Sequence, residues 1–562
     1  MKFGQNWQTA FNLLPKREKV VFLSLFAIAW VTGTLMLINI DRYHSKKVPA
    51  SGGTLVEGAV LAPKFINPLL TVSDTDRDLT RIIYAGLLKS DGKGSLTPDL
   101  AASYEISEDG LTYTFHLKND LYWHDNSRLT AQDVAFTINL AKNPKIDSPK
   151  RANWEGVTVE ISGDREVKFH LKKPYAPFLE NATLGIIPKH IWEKVTPEEF
   201  HLSEYNTKPI GAGPFRIGAV TKTQTGSISR YRLERFSRYR QRPAYINAIE
   251  FVFFSSKEEL AAAMKDGDVN SGSGSIDTLP KNSHTIEIRL PRIFGLFFNQ
   301  GNFKPLEDLT LRTALELAID RERIIREVAG GYGTATSLPI PPGTFGHAST
   351  LEATTRDVEQ AKNILAKAGY ADTDGDGIIE KKEKKNSTPI VITIATSDDP
   401  SLKQTAELIR DMWLEIGVGV NIQPYELGDL EQTIIRPRNF ETLLFGQVVG
   451  YDPDPFAFWH SSQRNDPRLN IALYASTRVD KLLDDARSTT DADKREELYK
   501  FFQQEIVKDK PAIFLYSPSY LYTIPGNLHG VALSQISLPQ ERFSNITDWY
   551  MSEKSVWNIL LR

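Results

Sequence analysis

The residues best suited to chemistry lie together at 372–383: Asp372-Thr373-Asp374-Gly375-Asp376-Gly377-Ile378-Ile379-Glu380-Lys381-Lys382-Glu383. Acids fall where a twelve-residue calcium loop needs them, with glycine at the sharp turn and an apolar residue two places on. Asp372, Asp374, Asp376, the Ile378 carbonyl and a bidentate Glu383 would surround one hard cation, with Glu380 acting directly or through water. Lys384 to Pro389 leads into a strand rather than a helix, so this is not a full EF-hand, and a bound Ca2+ would be structural. The blander reading is an Asp-Gly turn that binds nothing. Asp452 and Asp454, in Tyr451-Asp452-Pro453-Asp454-Pro455, could serve as an acid–base pair, although Asx-Pro repeats more often set turns. His116 sits in a strand pattern, and His124-Asp125 is an isolated pair. The sequence holds no G-x-S-x-G, no H-E-x-x-H and no phosphate-binding G-x-x-x-x-G-K-[ST]. It also holds no cysteine, which excludes disulfides, thiol catalysis, Cys-ligated zinc and a cysteine-linked lipid. Binding, not catalysis, is the expectation, with no cofactor required beyond that possible structural Ca2+.

The chain that must position these groups has 562 residues, 41% hydrophobic and 24% charged. It is globular and long enough for three to four structural units at roughly 150 residues each. A net charge of −3 argues against nucleic acid as a partner. The charge is uneven. Residues 1–47 hold seven Lys/Arg and two acids, leaving 60 basic and 68 acidic residues in the remainder. Between the basic flanks Lys16-Arg17-Glu18-Lys19 and Asp41 to Lys47, Val20 to Ile40 carries no charge. As a helix this run is about 31 Å long, the thickness of a bilayer core. It is longer than the apolar core of a signal peptide, and Leu37 to Asp41 offers no small-x-small cleavage site. The expectation is an uncleaved single-pass anchor (20–40) with a cytoplasmic tail (1–19), a polar tether (41–53) and an extracytoplasmic body, either periplasmic or at the cell surface.

Within the body, short alternating strands are expected at 53–60, 113–117, 166–171, 231–236 and 249–254, and more helix in the second half. Asp308 caps a helix carrying Leu311, Leu315, Ile319 and Ile325. Asp357 begins another, stopped by Gly369. Helices at 401–416 and 493–507 alternate with strands at 390–395, 418–423 and 443–446, which implies α/β lobes.

Several segments, in order, carry a resemblance: Gly52 to Val60; Asn67-Pro68-Leu69; residues 81–125, with Asp109-Gly110-Leu111-Thr112-Tyr113-Thr114-Phe115; Leu129-Thr130-Ala131-Gln132-Asp133-Val134; Gly211-Ala212-Gly213-Pro214-Phe215; Arg312 to Leu315; Ala318 to Arg321; Val448 to Phe456; and Arg542 to Ile546. Over roughly 52–550 the chain resembles the extracytoplasmic solute-binding proteins of family 5, the oligopeptide/dipeptide-binding type that serves ABC importers.

The resemblance implies an α/β, two-lobe periplasmic-binding-protein-like fold with an extra small domain, preceded here by the transmembrane helix. Lobe I would comprise 54–80, 211–294 and 521–562; the additional domain, 81–210; and lobe II, 295–520. A monomer would enclose an oligopeptide by hinge closure and deliver it to ABC permease subunits. Backbone pairing along the cleft would give affinity with little sequence preference. Glu57, Gly58 and Ala59 on one side, and Gln447, Val448, Val449, Gly450, Tyr451, Asp452 and Asp454 on the other, would flank the ligand. The family's peptide binders hold the ligand's α-amine with an Asp in this second segment. An ungapped match puts Gly450 there, and Asp452 could substitute only if the loop differs. The alternatives are the same fold used for a non-peptide solute or as a tethered sensor, and, third, a hydrolase using Asp452 or Asp454.

Overall fold

The computed structural model describes residues 15–239, 243–274, 282–351, 354–382 and 387–557. It divides into two units, 1–53 with 550–562, and 54–549.

In the smaller unit one helix, Lys16–His44, carries the apolar run. Its side chains from Val20 to Met36 are exposed, and the stretch Lys16–Met36 is long and apolar enough to cross a membrane. The helix overruns the apolar segment at its start because Lys, Arg and Glu are good helix formers. Residues 41–53 are not the polar tether expected. The helix continues to His44, and Ser45–Ala50 pairs antiparallel with Ser552–Trp557, Val48 opposite Lys554. The partner strand comes from the other end of the chain, so local composition could not reveal the pairing. Residues 550–562 accordingly belong with this unit rather than with lobe I.

The larger unit is built on a mixed sheet of twelve strands. One strand, Ala512–Pro525, serves both lobes. Its first part pairs with Arg292–Phe298, and its second with Ser283–Arg289. The chain thus passes between lobes at Leu290-Pro291 and again at Ser517-Pro518, where the Ser517 hydroxyl donates to the Leu290 carbonyl at 2.9 Å. In lobe I, Thr54–Val60 lies parallel between Ala248–Phe254 and Ser271–Ser273. In lobe II, Val391–Ser397 lies parallel between Gly419–Tyr425 and Thr442–Val448. Alternation along Arg292–Phe298 sends Leu296 and Phe298 into one core with Trp413, and Ile293 and Phe297 into another with Trp459. The additional domain is a four-stranded antiparallel sheet, Ala101–Ile106, Thr112–Leu117, Glu166–His170 and Thr158–Ser162 in spatial order.

Two expectations change in detail. The helix begun at Asp308 stops at Ala318, and Asp320 caps a second one, Arg321–Val328, so Ile319 and Ile325 are not on one helix. The helix Asp74–Ile83 runs through the expected boundary at 80/81, held by a Ser73/Asp76 capping box. His124 is structural: it accepts from the Gly211 amide and contacts the Gly213 carbonyl, and burial pushes it down to about 4. Glycines are required in that segment, since a Cβ at 211 or 213 would meet the Ile83 or Ile82 carbonyl oxygen at 2.0 or 2.4 Å.

Buried charge ties the ends of the larger unit together. Arg542 reaches Asp78 with two bonds of 2.6 Å and Glu57 at 2.9 Å. Glu57 also accepts from Tyr522 at 2.9 Å and Ser271 at 2.5 Å. The helix Asp74–Ile83, three strands and the C-terminal turn Pro539–Phe543 therefore meet at this Arg542–Glu57–Asp78 cluster. Removing the guanidinium would leave two buried carboxylates without their cation. We expect Arg542→Met to cost about 3–5 kcal/mol, while Arg410→Met, at an exposed pair with Asp411, costs under about 1 kcal/mol. Denaturant melts of the full chain in detergent measure both; equal small losses would contradict the role given to Arg542.

Candidate ligand-binding site

Where the lobe II strand Thr442–Val448 ends, Val449 turns back to donate to the Pro291 carbonyl at 2.9 Å. The chain then runs through Gly450-Tyr451-Asp452 against lobe I and the additional domain. The Tyr451 hydroxyl makes short bonds to Ser90 and Glu541. The Asp452 amide donates to Glu180 Oε1 at 2.7 Å. Gly450 faces the same carboxylate, and a Cβ there would stand 2.4 Å from Glu180 Oε2. A larger residue at 450 would require the Glu180 carboxylate to shift.

The two aspartates of the segment are engaged within lobe II. Asp452 pairs with Arg495 at 3.0 Å and accepts from the Tyr499 hydroxyl at 3.0 Å. Asp454 pairs with Arg487 at 2.7 Å, its backbone left-handed at φ 34°. Burial raises both carboxyls, and the two arginines oppose it. Asp452 therefore does not face an open site as a replacement amine anchor, nor do the pair stand free as acid and base.

The remaining expected cleft residues separate. Glu57 is fully buried in the Arg542 cluster. Gly58 faces the helix Lys257–Asp266, where a Cβ would meet Leu260 at 2.2 Å, and Ala59 is buried beside it. These three are core residues of a central strand, because a parallel strand with neighbours on both sides is covered on both faces. Gln447 is buried, and Val448 is exposed beside Arg292.

Two cavities adjoin the segment. The first, about 160 Å³, includes Thr80, Arg81, Tyr84, Lys150, Glu180 and Glu541 in its wall. The second, about 870 Å³, opens between the additional domain and lobe II, with Tyr175, Phe178, Glu180, Phe456 and Arg487 along it. Glu180 borders both, so its side chain is only half-buried by exposure. Its carboxyl is nonetheless enclosed enough that burial pushes it up to about 7, helped by Asp452 and Glu541 and opposed by backbone amides. Sequence reasoning missed Glu180, Glu541 and Ser90. The one available signal for Glu180 was an acid directly following the apolar run Ala176-Pro177-Phe178-Leu179.

At the acidic loop, carboxylate oxygens of Asp372, Asp374, Asp376 and Glu380 lie within 4.8 Å of one another. Asp372 accepts from the Gly375 and Gly377 amides at 2.7 and 3.0 Å, and buried Glu380 accepts from Thr373. Ile378 donates its amide to Asp376 at 2.7 Å. Glu383 lies outside the described residues.

With this geometry in view, comparison with known proteins is informative. Residues 95–467 match the family model described as "Bacterial extracellular solute-binding proteins, family 5 Middle". The chain belongs to that family. This solute-binding protein is 29% identical over 529 residues to the oligopeptide-binding protein AppA of Bacillus subtilis, covering 92% of the chain and 94% of the relative. The solved structure of AppA with a nonapeptide aligns at a TM-score of 0.67 and 28% identity, over 90% of this chain and 100% of that one. NikZ of Campylobacter jejuni, in complex with Ni(L-His), aligns at 0.69 and 26%, over 88% and 99%. The relatives are binding proteins, and the fold is the two-lobe α/β type.

The raised Glu180 carboxyl has a consequence for stability. Between pH 4.5 and about 7 the unfolded chain has released a proton that the folded chain retains. This contribution is therefore full below pH 4.5 and is lost as pH rises towards 7. Melting of the unliganded full chain should fall more steeply with pH over this window than melting of Glu180→Gln. Parallel profiles would contradict the assignment.

Proposed function

We propose that this solute-binding protein is held on the membrane by the helix Lys16–His44 and captures oligopeptides between its lobes for delivery to an ABC importer. The observation that carries this reading is the meeting of Gly450-Tyr451-Asp452 with Ser90, Glu180 and Glu541 across the lobes. These contacts join parts linked through a shared strand and two short crossings, an arrangement suited to hinge closure. AppA, seen with a nonapeptide, supports a peptide as ligand. A basic N-terminal segment followed by an acidic body supports an inside tail and an extracytoplasmic domain. Binding is non-covalent, and ATP hydrolysis belongs to the importer's own subunits.

A non-peptide solute is the second reading, favoured by the likeness to NikZ and by the small volume of the first cavity. Against a metal–histidine chelate, no His or Met lines either cavity among the described residues. The loop at Asp372–Glu383 is proposed as a structural Ca2+ site, with Asp372, Asp374, Asp376, the Ile378 carbonyl, Glu380 and Glu383, which lies outside the described residues, as ligands. It would stiffen a hairpin within lobe II.

Thermal melting of the full chain in detergent, against pooled di- to deca-peptides with and without Ca2+, tests both parts. Peptides should raise the melting point in a length-dependent manner, and Ca2+ should raise it independently, with the calcium effect lost in Asp374→Asn. No response to any peptide pool would overturn the peptide reading. A calcium response retained in Asp374→Asn would overturn the metal assignment.

A further inference from the structure

We propose that the ribbon formed by Ser45–Ala50 and Ser552–Trp557 docks its Trp557 end in the headgroup layer of an anionic bilayer, as a second membrane contact beside the helix Lys16–His44. This rests on the membrane-anchor reading above and adds a lipid-binding surface to it.

Helix and ribbon are continuous, since the helix ends at His44 and the first strand begins at Ser45. The antiparallel register sets Ser45 opposite Trp557. The strand from the far end of the sequence therefore runs towards the helix, and Trp557 stands at the helix end. Its ring stacks on His44, with centroids 6.4 Å apart and planes at 22°. Tyr43 meets the same imidazole edge-on at 5.4 Å. Tyr43 is 84% exposed and Trp557 47%. The apolar run ends at Ile40, so Tyr43 lies about 4.5 Å further along the helix axis. If the run fills the hydrocarbon, that is headgroup depth. Tyr and Trp favour this depth because each ring is apolar at one end and hydrogen-bonds at the other.

Charge supplies an independent indication. The ribbon carries Lys46, Lys47 and Lys554 against one acid, Glu553. Lys47 pairs with Glu553 at 3.2 Å. Lys46 and Lys554 are exposed and form no ion pair among the described residues. A basic ribbon on a protein whose remainder is acidic fits an anionic lipid surface, whose attraction reaches about 8 Å at physiological salt. The sequence after Trp557 reads Asn558-Ile559-Leu560-Leu561-Arg562, which lies outside the described residues. Three apolar side chains followed by a cation have the composition of an interfacial segment. Neither strand of the ribbon has a buried side chain, and two strands alone are marginal in water. Lipid contact at the Trp557 end supplies the apolar burial that the ribbon lacks.

Because the chain has no cysteine, single cysteines can carry an environment-sensitive fluorophore in the full chain. Trp30→Cys reports the anchor helix, Ser555→Cys the ribbon, and Lys265→Cys the body. Ser555 and Lys265 are exposed, and Ser555→Cys leaves Trp557 in place. Each labelled chain is reconstituted in vesicles of phosphatidylcholine and phosphatidylglycerol bearing nitroxide lipids, with the nitroxide shallow or deep in the acyl chain. Shallow nitroxides should quench the probe at 555 at least about twofold more than the probe at 265. That excess should shrink in phosphatidylcholine alone, and again when Trp557→Ser is added. Deep quenching at 30 with no excess at 555 would overturn the proposal and leave the anchor standing. Quenching at neither 30 nor 555 would bring down the anchor reading and the proposal together. An excess equal with and without phosphatidylglycerol would overturn the assignment to anionic headgroups. The comparison of 555 with 265 needs no change at Trp557 and holds even if Trp557→Ser unpairs the strand.

Discussion

Both lobes share one strand, and that constraint organises the larger unit. Ala512–Pro525 must satisfy lobe II with its first residues and lobe I with its last. Around its start, Arg312 donates to the Asp509 and Lys510 carbonyls, and Arg321 to the Phe514 carbonyl. Glu316 lies between Arg321 and Lys510. Around its end, Tyr522 joins Glu57 and Arg542. Each lobe thus fixes its own half of the strand through buried charge. Between the two halves, Tyr516–Pro518 pairs with the short strand Gly333–Ala335.

This explains why polar residues recur inside the cores. Arg312 and Arg321 satisfy backbone carbonyls around the shared strand. Glu57 is of the same kind. Its place near the start of the body suggested a cleft residue, but the carboxylate is committed to a guanidinium nearly 500 positions away. A buried ion pair of this sort is weak evidence for net stability and better evidence for a specified arrangement. Here it fixes how the C-terminal turn closes on the first strand.

Much of the fold was legible in the sequence because it is written locally. The strands at 54–60, 112–117, 248–254 and 391–397 follow alternation, and Asp308, Asp357 and Gly369 mark helix ends through capping and backbone freedom. The apolar run of the N-terminal helix needed only its length. What could not be read was pairing over distance. Ser45–Ala50 has a polar sequence and becomes a strand only because residues near the other terminus complete it. The candidate site failed in the same way. Tyr451, Gly450 and Asp452 were named, but Glu180 comes from a separate domain and shows itself only when folding sets it opposite a glycine.

The central claim is that solute is enclosed by movement of the lobes about the shared strand. Because the chain has no cysteine, two introduced cysteines would be the only labelling sites. Spin labels at Lys265 in lobe I and Lys403 in lobe II would report the interlobe distance by pulsed dipolar spectroscopy. The account predicts a broad or two-component distribution without ligand that collapses to one narrow component when a binding peptide is added. A distribution unchanged by saturating peptide would contradict it.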